Sequence, residues 1–146
     1  MHPLLFPKKE RRLNLILFFN KNWKEEYNGG LELWEPNMSK CSQIIYPKFN
    51  TGVIFRTNNN SWHGLSKKIA CPEGEFRQTL AFYWVSDLTT KKREDLYRKK
   101  AKFVPVPGDP NGDKMRELGE IRVKRRITEE DMNKIWPGWN ENTDYV

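Results

Sequence analysis

Apolar residues fall in short, separate runs over the first 86 positions and take up helical spacing only afterwards. Leu13–Phe19 is an apolar run with one polar member, Asn14, bounded by Arg12 and Asn20. It predicts a strand buried on both faces. Asn28-Gly29-Gly30 is a turn signal, and Leu31-Glu32-Leu33-Trp34 alternates apolar and polar before Pro36 stops it. Gln43–Tyr46 predicts a short strand ended by Pro47, and Thr51–Thr57 another, after which Asn58-Asn59-Asn60 turns the chain. Trp62–Ala70 and Phe76–Val85 complete the series, separated by Cys71-Pro72-Glu73-Gly74. Six short strands with turns and no helices between them predict an antiparallel barrel or jelly roll.

After Asp87 the periodicity changes. Thr89 or Thr90 caps a predicted helix running to about Lys102, and Phe103–Pro110 is a proline-rich connector. A second helix is predicted over 112–119. Thr128-Glu129-Glu130-Asp131 reads as a cap followed by an acidic first turn, opening a short helix to Ile135. This gives a core over residues 1–87 and a basic helical extension over 88–146.

Composition narrows the functions. The 146 residues are enough for one proper core, and 13% aromatic residues argue against wholesale disorder despite an apolar fraction of 37%. Cys41 and Cys71 make no disulfide framework, so a reducing, cytoplasmic setting is expected. The run after Arg12 is too short for a membrane span and lacks the cleavage site of a signal peptide. The net charge of +7 divides evenly, +4 over residues 1–87 and +3 over 88–146. Its densest run, Lys91–Lys100, mixes signs and reads as a solvated helix face, with no nucleic-acid motif beside it. No membrane or nucleic-acid partner is expected.

Two pieces carry candidate chemistry: Trp62-His63-Gly64 and, fourteen residues on from His63, Arg77-Gln78-Thr79-Leu80-Ala81-Phe82-Tyr83. A histidine at a strand start can ligate a metal through neutral imidazole. An arginine fork can grip a carboxylate in a bidentate manner, and a residue two positions along a strand shares its face. The pair therefore suggests a metal centre with an acidic organic co-substrate beside it. Each residue alone would more commonly be structural, His63 as a hydrogen-bonded core histidine and Arg77 as a surface ion-pair partner.

In order along the chain, Arg11-Arg12-Leu13-Asn14-Leu15-Ile16-Leu17-Phe18-Phe19-Asn20, Gly29-Gly30-Leu31-Glu32-Leu33-Trp34, Val53-Ile54-Phe55, Trp62-His63-Gly64 and Arg77–Tyr83 resemble the Fe(II)/2-oxoglutarate-dependent oxygenases. The resemblance is nearest to the prolyl 4-hydroxylase-like branch and covers roughly residues 2–86. It implies a mainly β, double-stranded β-helix (jelly-roll, cupin-like) fold. It also implies His63 as the distal iron ligand, Arg77 and Thr79 as partners of the 2-oxoglutarate carboxylate, and Asn14 as a further 2-oxoglutarate contact. The family's His-x-Asp pair would precede Arg11, where the chain has only His2-Pro3-Leu4. The core is accordingly expected to be N-terminally incomplete, with weak activity on its own.

The implied activity is a dioxygenase that couples oxidative decarboxylation of 2-oxoglutarate to substrate hydroxylation. Fe(II), 2-oxoglutarate and O₂ would take part, ascorbate would be an accessory cofactor, and a protein or peptide, prolyl by resemblance, would be the substrate. The alternative is a metal-free jelly-roll binding module that uses a basic surface.

Overall fold

The computed structural model describes residues 9–87 and 103–140, which form two compact units. The predicted helix from Thr89 to Lys102, and His2, lie outside the described residues.

The larger unit is mainly β. Its strands are β1 (Lys9–Phe18), β2 (Leu31–Trp34), β3 (Cys41–Ile45), β4 (Thr51–Arg56), β5 (His63–Gly64) and β6 (Thr79–Asp87). They form two antiparallel three-stranded sheets, ordered β4-β1-β6 and β3-β2-β5. This is a partial jelly roll, and each predicted strand has a counterpart in it.

Register decides which residues face the space between the sheets. Directly opposed residues of an antiparallel pair share a face, and alternate residues along a strand do too. In the first sheet Asn14 pairs with Phe55 and Tyr83, Ile16 with Val53 and Ala81, and Phe18 with Thr51 and Thr79. Phe18 is 1% exposed and Asn14 3%, so this is the buried face. In the second sheet His63 pairs with Leu33, and its ring meets Phe55 edge-on with centroids 4.7 Å apart. The His63 face of the second sheet therefore meets the Phe55 face of the first.

Three expectations are corrected. β1 was expected to be buried on both faces; Asn14 and Phe18 on its inner face are buried, but Leu13, Leu15 and Leu17 on the outer face are only half-buried. Their cross-strand neighbours Ile54, Leu80, Phe82 and Trp84 are exposed. The strand expected over Trp62–Ala70 is only His63–Gly64. Beyond it the backbone is held by the 3-10 turn Glu25–Tyr27 and its cap rather than by a ladder: Ala70 N–H donates to the Tyr27 carbonyl at 2.9 Å, and Asn28 Nδ2 to the Lys68 carbonyl at 3.0 Å. Finally, β6 starts at Thr79, so Arg77, expected within the strand Phe76–Val85, precedes it; β5 and β6 lie in different sheets.

The smaller unit contains α1 (Gly112–Lys124) and α2 (Glu129–Ile135). Leu118 and Trp136 are buried, and Lys114 Nζ stands 4.8 Å from the centroid of the Trp136 ring. Among the described residues no helix is long and apolar enough to cross a membrane.

Candidate functional site

His63 is positioned by a turn that closes on itself. Asn58 Oδ1 accepts from Asn60 N–H at 2.8 Å, Ser61 Oγ accepts from Asn58 N–H at 2.9 Å, and Ser61 Oγ–H donates to the Asn58 carbonyl at 3.0 Å. Trp62 then anchors the chain on either side of its own residue. Its Nε1–H donates to the Pro36 carbonyl at 3.0 Å, and its carbonyl accepts from Trp34 N–H at 3.0 Å. The imidazole Nδ1 lies 2.7 Å from the Ser61 carbonyl oxygen. A carbonyl only accepts, so Nδ1 carries a proton; in the neutral tautomer this leaves the lone pair on Nε2. A ring nitrogen fixed by such a bond is the usual preparation for metal ligation by its partner nitrogen. His63 is solvent-exposed, so Nε2 can be reached.

Arg77 is held just as firmly. Its Nε–H donates to the Gly29 carbonyl at 2.7 Å, and its guanidinium carbon lies 5.4 Å from the centroid of the Phe18 ring. The backbone on both sides is fixed by one carboxamide, that of Asn20. Asn20 Nδ2 donates to the Phe76 carbonyl at 2.6 Å, and its Oδ1 accepts from Gln78 N–H at 2.9 Å. Gly29 fits closely beneath Arg77. Its φ of 70° lies in the left-handed region, and a Cβ there would come 3.3 Å from Arg77 Cδ and 3.2 Å from Trp23 Cζ2. The Gly-Gly turn thus serves as the seat of the arginine as well as the entry to β2.

Asn14 and Thr79 lie on the inner face of the first sheet and His63 on that of the second, while Arg77, just before β6, stands over Phe18 of the first. Thr79 is opposite Phe18, the ring beneath Arg77, while Asn14 is opposite Phe55, the ring against His63. They sort into two levels along β1: Arg77 and Thr79 at Phe18, His63 and Asn14 at Asn14. Four strand residues separate the levels, about 13 Å. Along β6 the inner face is open, for Thr79 and Ala81 are exposed.

Residues 5–86, 82 of the chain's 146, match the model of the 2OG-Fe(II) oxygenase superfamily. The chain belongs to that superfamily. No curated protein matches it. The superfamily implies Fe(II), 2-oxoglutarate and O₂ as participants, and the two inner-face levels fit these unequally. Arginine and threonine are suitable donors for the distal carboxylate of a keto-diacid. Among the described residues, however, no group of three or more His, Cys, Asp or Glu side chains comes together. His63 alone does not make an iron site, since a 2-His-1-carboxylate site needs two further donors.

Sequence reasoning singled out His63, Arg77, Thr79 and Asn14 and missed the residues that hold them. Asn20 ended a recognisable block, but its role depends on a contact 56 residues away. Arg11, whose guanidinium carbon lies 4.2 Å from the centroid of the Tyr83 ring, was also missed. Strand alternation assigns it to the opposite face.

Proposed function

We propose that this chain carries the 2-oxoglutarate-binding side of an Fe(II)/2-oxoglutarate-dependent dioxygenase that hydroxylates a protein or peptide residue, in the manner of the prolyl 4-hydroxylases. Arg77 and Thr79 take the distal carboxylate, and His63 is the distal metal ligand through Nε2. Asn14 lies at the His63 level, where the keto-acid end of the co-substrate would come. The observation that carries this reading is that Arg77 stands over Phe18 and His63 against Phe55, two rings on the same inner face of the first sheet.

The chain's own residues have three tasks in this reading. Arg77 neutralises and orients the carboxylate, with its Nε committed to the Gly29 carbonyl and its plane set by Phe18. Ser61 keeps the proton of His63 on Nδ1, which leaves Nε2 available. Buried Phe18 and half-buried Ile16, Val53 and Phe55 give the space between the sheets an apolar lining.

The test is calorimetric titration of 2-oxoglutarate into the 146-residue chain and its Arg77→Ala variant. Loss of a charge-assisted hydrogen bond, about 1.5–3 kcal/mol, corresponds to a tenfold to hundredfold weaker Kd. Equal affinity of the two proteins would refute the assignment of Arg77.

A further inference from the structure

We infer that the cavity beside Glu32, on the outer face of the β3-β2-β5 sheet, binds a primary alkylammonium group of the kind that a lysine side chain or a free alkylamine carries. The inference does not rest on the oxygenase reading, because this face is turned away from His63.

Strand alternation places the site. Leu33 is opposite His63 on the inner face of the sheet. Glu32, one residue earlier, therefore belongs to the outer face, where Ile44 and Gly64 are its cross-strand neighbours. A glutamate on an outer face is ordinarily solvated, yet Glu32 is only 7% exposed. The chain beyond β5 closes over it. Ser66 donates to Glu32 Oε1 through its hydroxyl and, at 3.4 Å, through its N–H. Trp34, two residues along the same face, donates from Nε1 to Oε2 at 2.9 Å.

These bonds hold the carboxylate without neutralising it. All three donors are uncharged, and no Lys, Arg or His among the described residues forms an ion pair with Glu32. Glutamate is almost never this buried unless it is paired, because removing a lone charge from water is costly. An ionised carboxylate offers about four acceptor positions, and three are taken. A cationic ligand would offset the charge and occupy the fourth.

The cavity narrows the choice of cation. Its volume of about 40 Å³ has room for a small head group and no hydration shell. Ile44, Tyr46 and Leu65 line it beside Glu32 and Ser66. Calcium or magnesium takes six or more oxygen ligands, which one carboxylate among apolar side chains does not supply. A guanidinium spreads five donors over a broad plane and outruns the acceptors here. An ammonium head is compact, and its alkyl stem gains from apolar walls. Lys67 also lines the cavity, but it is exposed and its ammonium is not paired with Glu32.

The test is ¹⁵N chemical-shift titration of the full 146-residue chain. The probes are n-butylammonium, neutral n-butanol, bulky tetramethylammonium, and the capped tripeptides acetyl-Ala-Lys-Ala-amide and acetyl-Ala-norleucine-Ala-amide. The primary amines should give saturable shifts of the Ser66 amide and the Trp34 indole N–H, and the other three probes should not. Glu32→Gln should weaken binding about tenfold or more, the share of a charge-assisted hydrogen bond. That variant also sets an amide N–H against one of its own donors, so a second is made beside it. Ile44→Lys, at a position 49% exposed and directly opposite Glu32, keeps both hydrogen-bond partners and supplies an internal ammonium. It should abolish binding. A lysine tripeptide that binds more tightly than n-butylammonium identifies a peptide or protein side chain as the ligand, and the reverse order identifies a free alkylamine. Absence of saturable shifts with both amines, equal binding of n-butanol, or affinity unchanged in Glu32→Gln or Ile44→Lys would overturn the site. So would amine binding that appears only in Lys67→Met, since the cavity would then be the seat of Lys67 itself.

Discussion

Arg77, the proposed partner of the carboxylate, shows how far neighbouring residues fix a side chain. Its guanidinium rests over Phe18, its Nε–H is fixed by the Gly29 carbonyl, and the Asn20 carboxamide clamps the backbone at residues 76 and 78. Gly29→Ala should therefore cost both stability and function. The left-handed φ penalises alanine by about 1 kcal/mol, and the added methyl group would press on Arg77 Cδ and Trp23 Cζ2. Chemical denaturation should show the first effect and 2-oxoglutarate titration the second. Asn20→Ala, which frees both backbone groups at once, should weaken 2-oxoglutarate binding without touching the ligand. Unchanged affinity would show that the clamp is unnecessary. At this scale the sequence singles out residues whose type suggests a chemistry, as with His63 and Arg77. It is silent on Asn20 and Arg11. One acts through a contact across 56 residues, and the other meets Tyr83 through a bulge in β1, between Arg11 and Leu13, that no local pattern marks.

Among the elements, α2 has the best-defined local signal. Thr128 and Asp131 form a capping box: the Thr128 hydroxyl accepts from Asp131 N–H at 3.3 Å, and the Asp131 carboxylate accepts from Thr128 N–H at 2.9 Å. Thr128→Ala should lower helix stability by about 1 kcal/mol, measurable by thermal unfolding. Hydrogen bonds from Arg125, and secondarily from Thr128, hold the Asp131 carboxyl well below the usual carboxylate range. A lowered folded-state pKa stabilises above the unfolded value, about 3.9, and that stabilisation is lost as pH falls through the folded value. The α2 amide shifts should consequently stay helical down to about pH 4 and change only in stronger acid; Arg125→Ala should move the change to higher pH. The helix was legible from Thr128-Glu129-Glu130-Asp131 because caps are local. β5 was not, because the apolar and polar residues after Gly64 gave no warning that the 3-10 turn, rather than a neighbouring strand, takes up their backbone groups.

The outer face of the β4-β1-β6 sheet belongs to the same scale. Ile54, Leu80, Phe82 and Trp84 lie exposed beside half-buried Leu13, Leu15 and Leu17. Contiguous apolar surface of this kind drives association. Phe82→Thr with Ile54→Thr should raise the solubility limit of the chain while leaving 2-oxoglutarate affinity intact, since both residues are on the face opposite Phe18 and Thr79. Solubility unchanged by the pair would show that this face is not what limits it.

For the whole molecule, alternation and turn chemistry were enough to read a mainly β core followed by helices, because the inner face of β1 is defined by residues two apart. The pairing of the sheets was not legible, since β5 and β6 follow one another in sequence yet belong to different sheets. The claim that most needs a direct test is that Arg77 recognises the distal carboxylate of 2-oxoglutarate on this inner face. The decisive measurement is a four-way comparison of Kd: 2-oxoglutarate and 2-oxobutanoate, which lacks that carboxylate, each with the unaltered chain and with Arg77→Ala. The account predicts that the unaltered chain prefers 2-oxoglutarate at least tenfold, that Arg77→Ala erases this preference, and that 2-oxobutanoate binds both proteins alike. A preference for 2-oxoglutarate that survives in Arg77→Ala would contradict it.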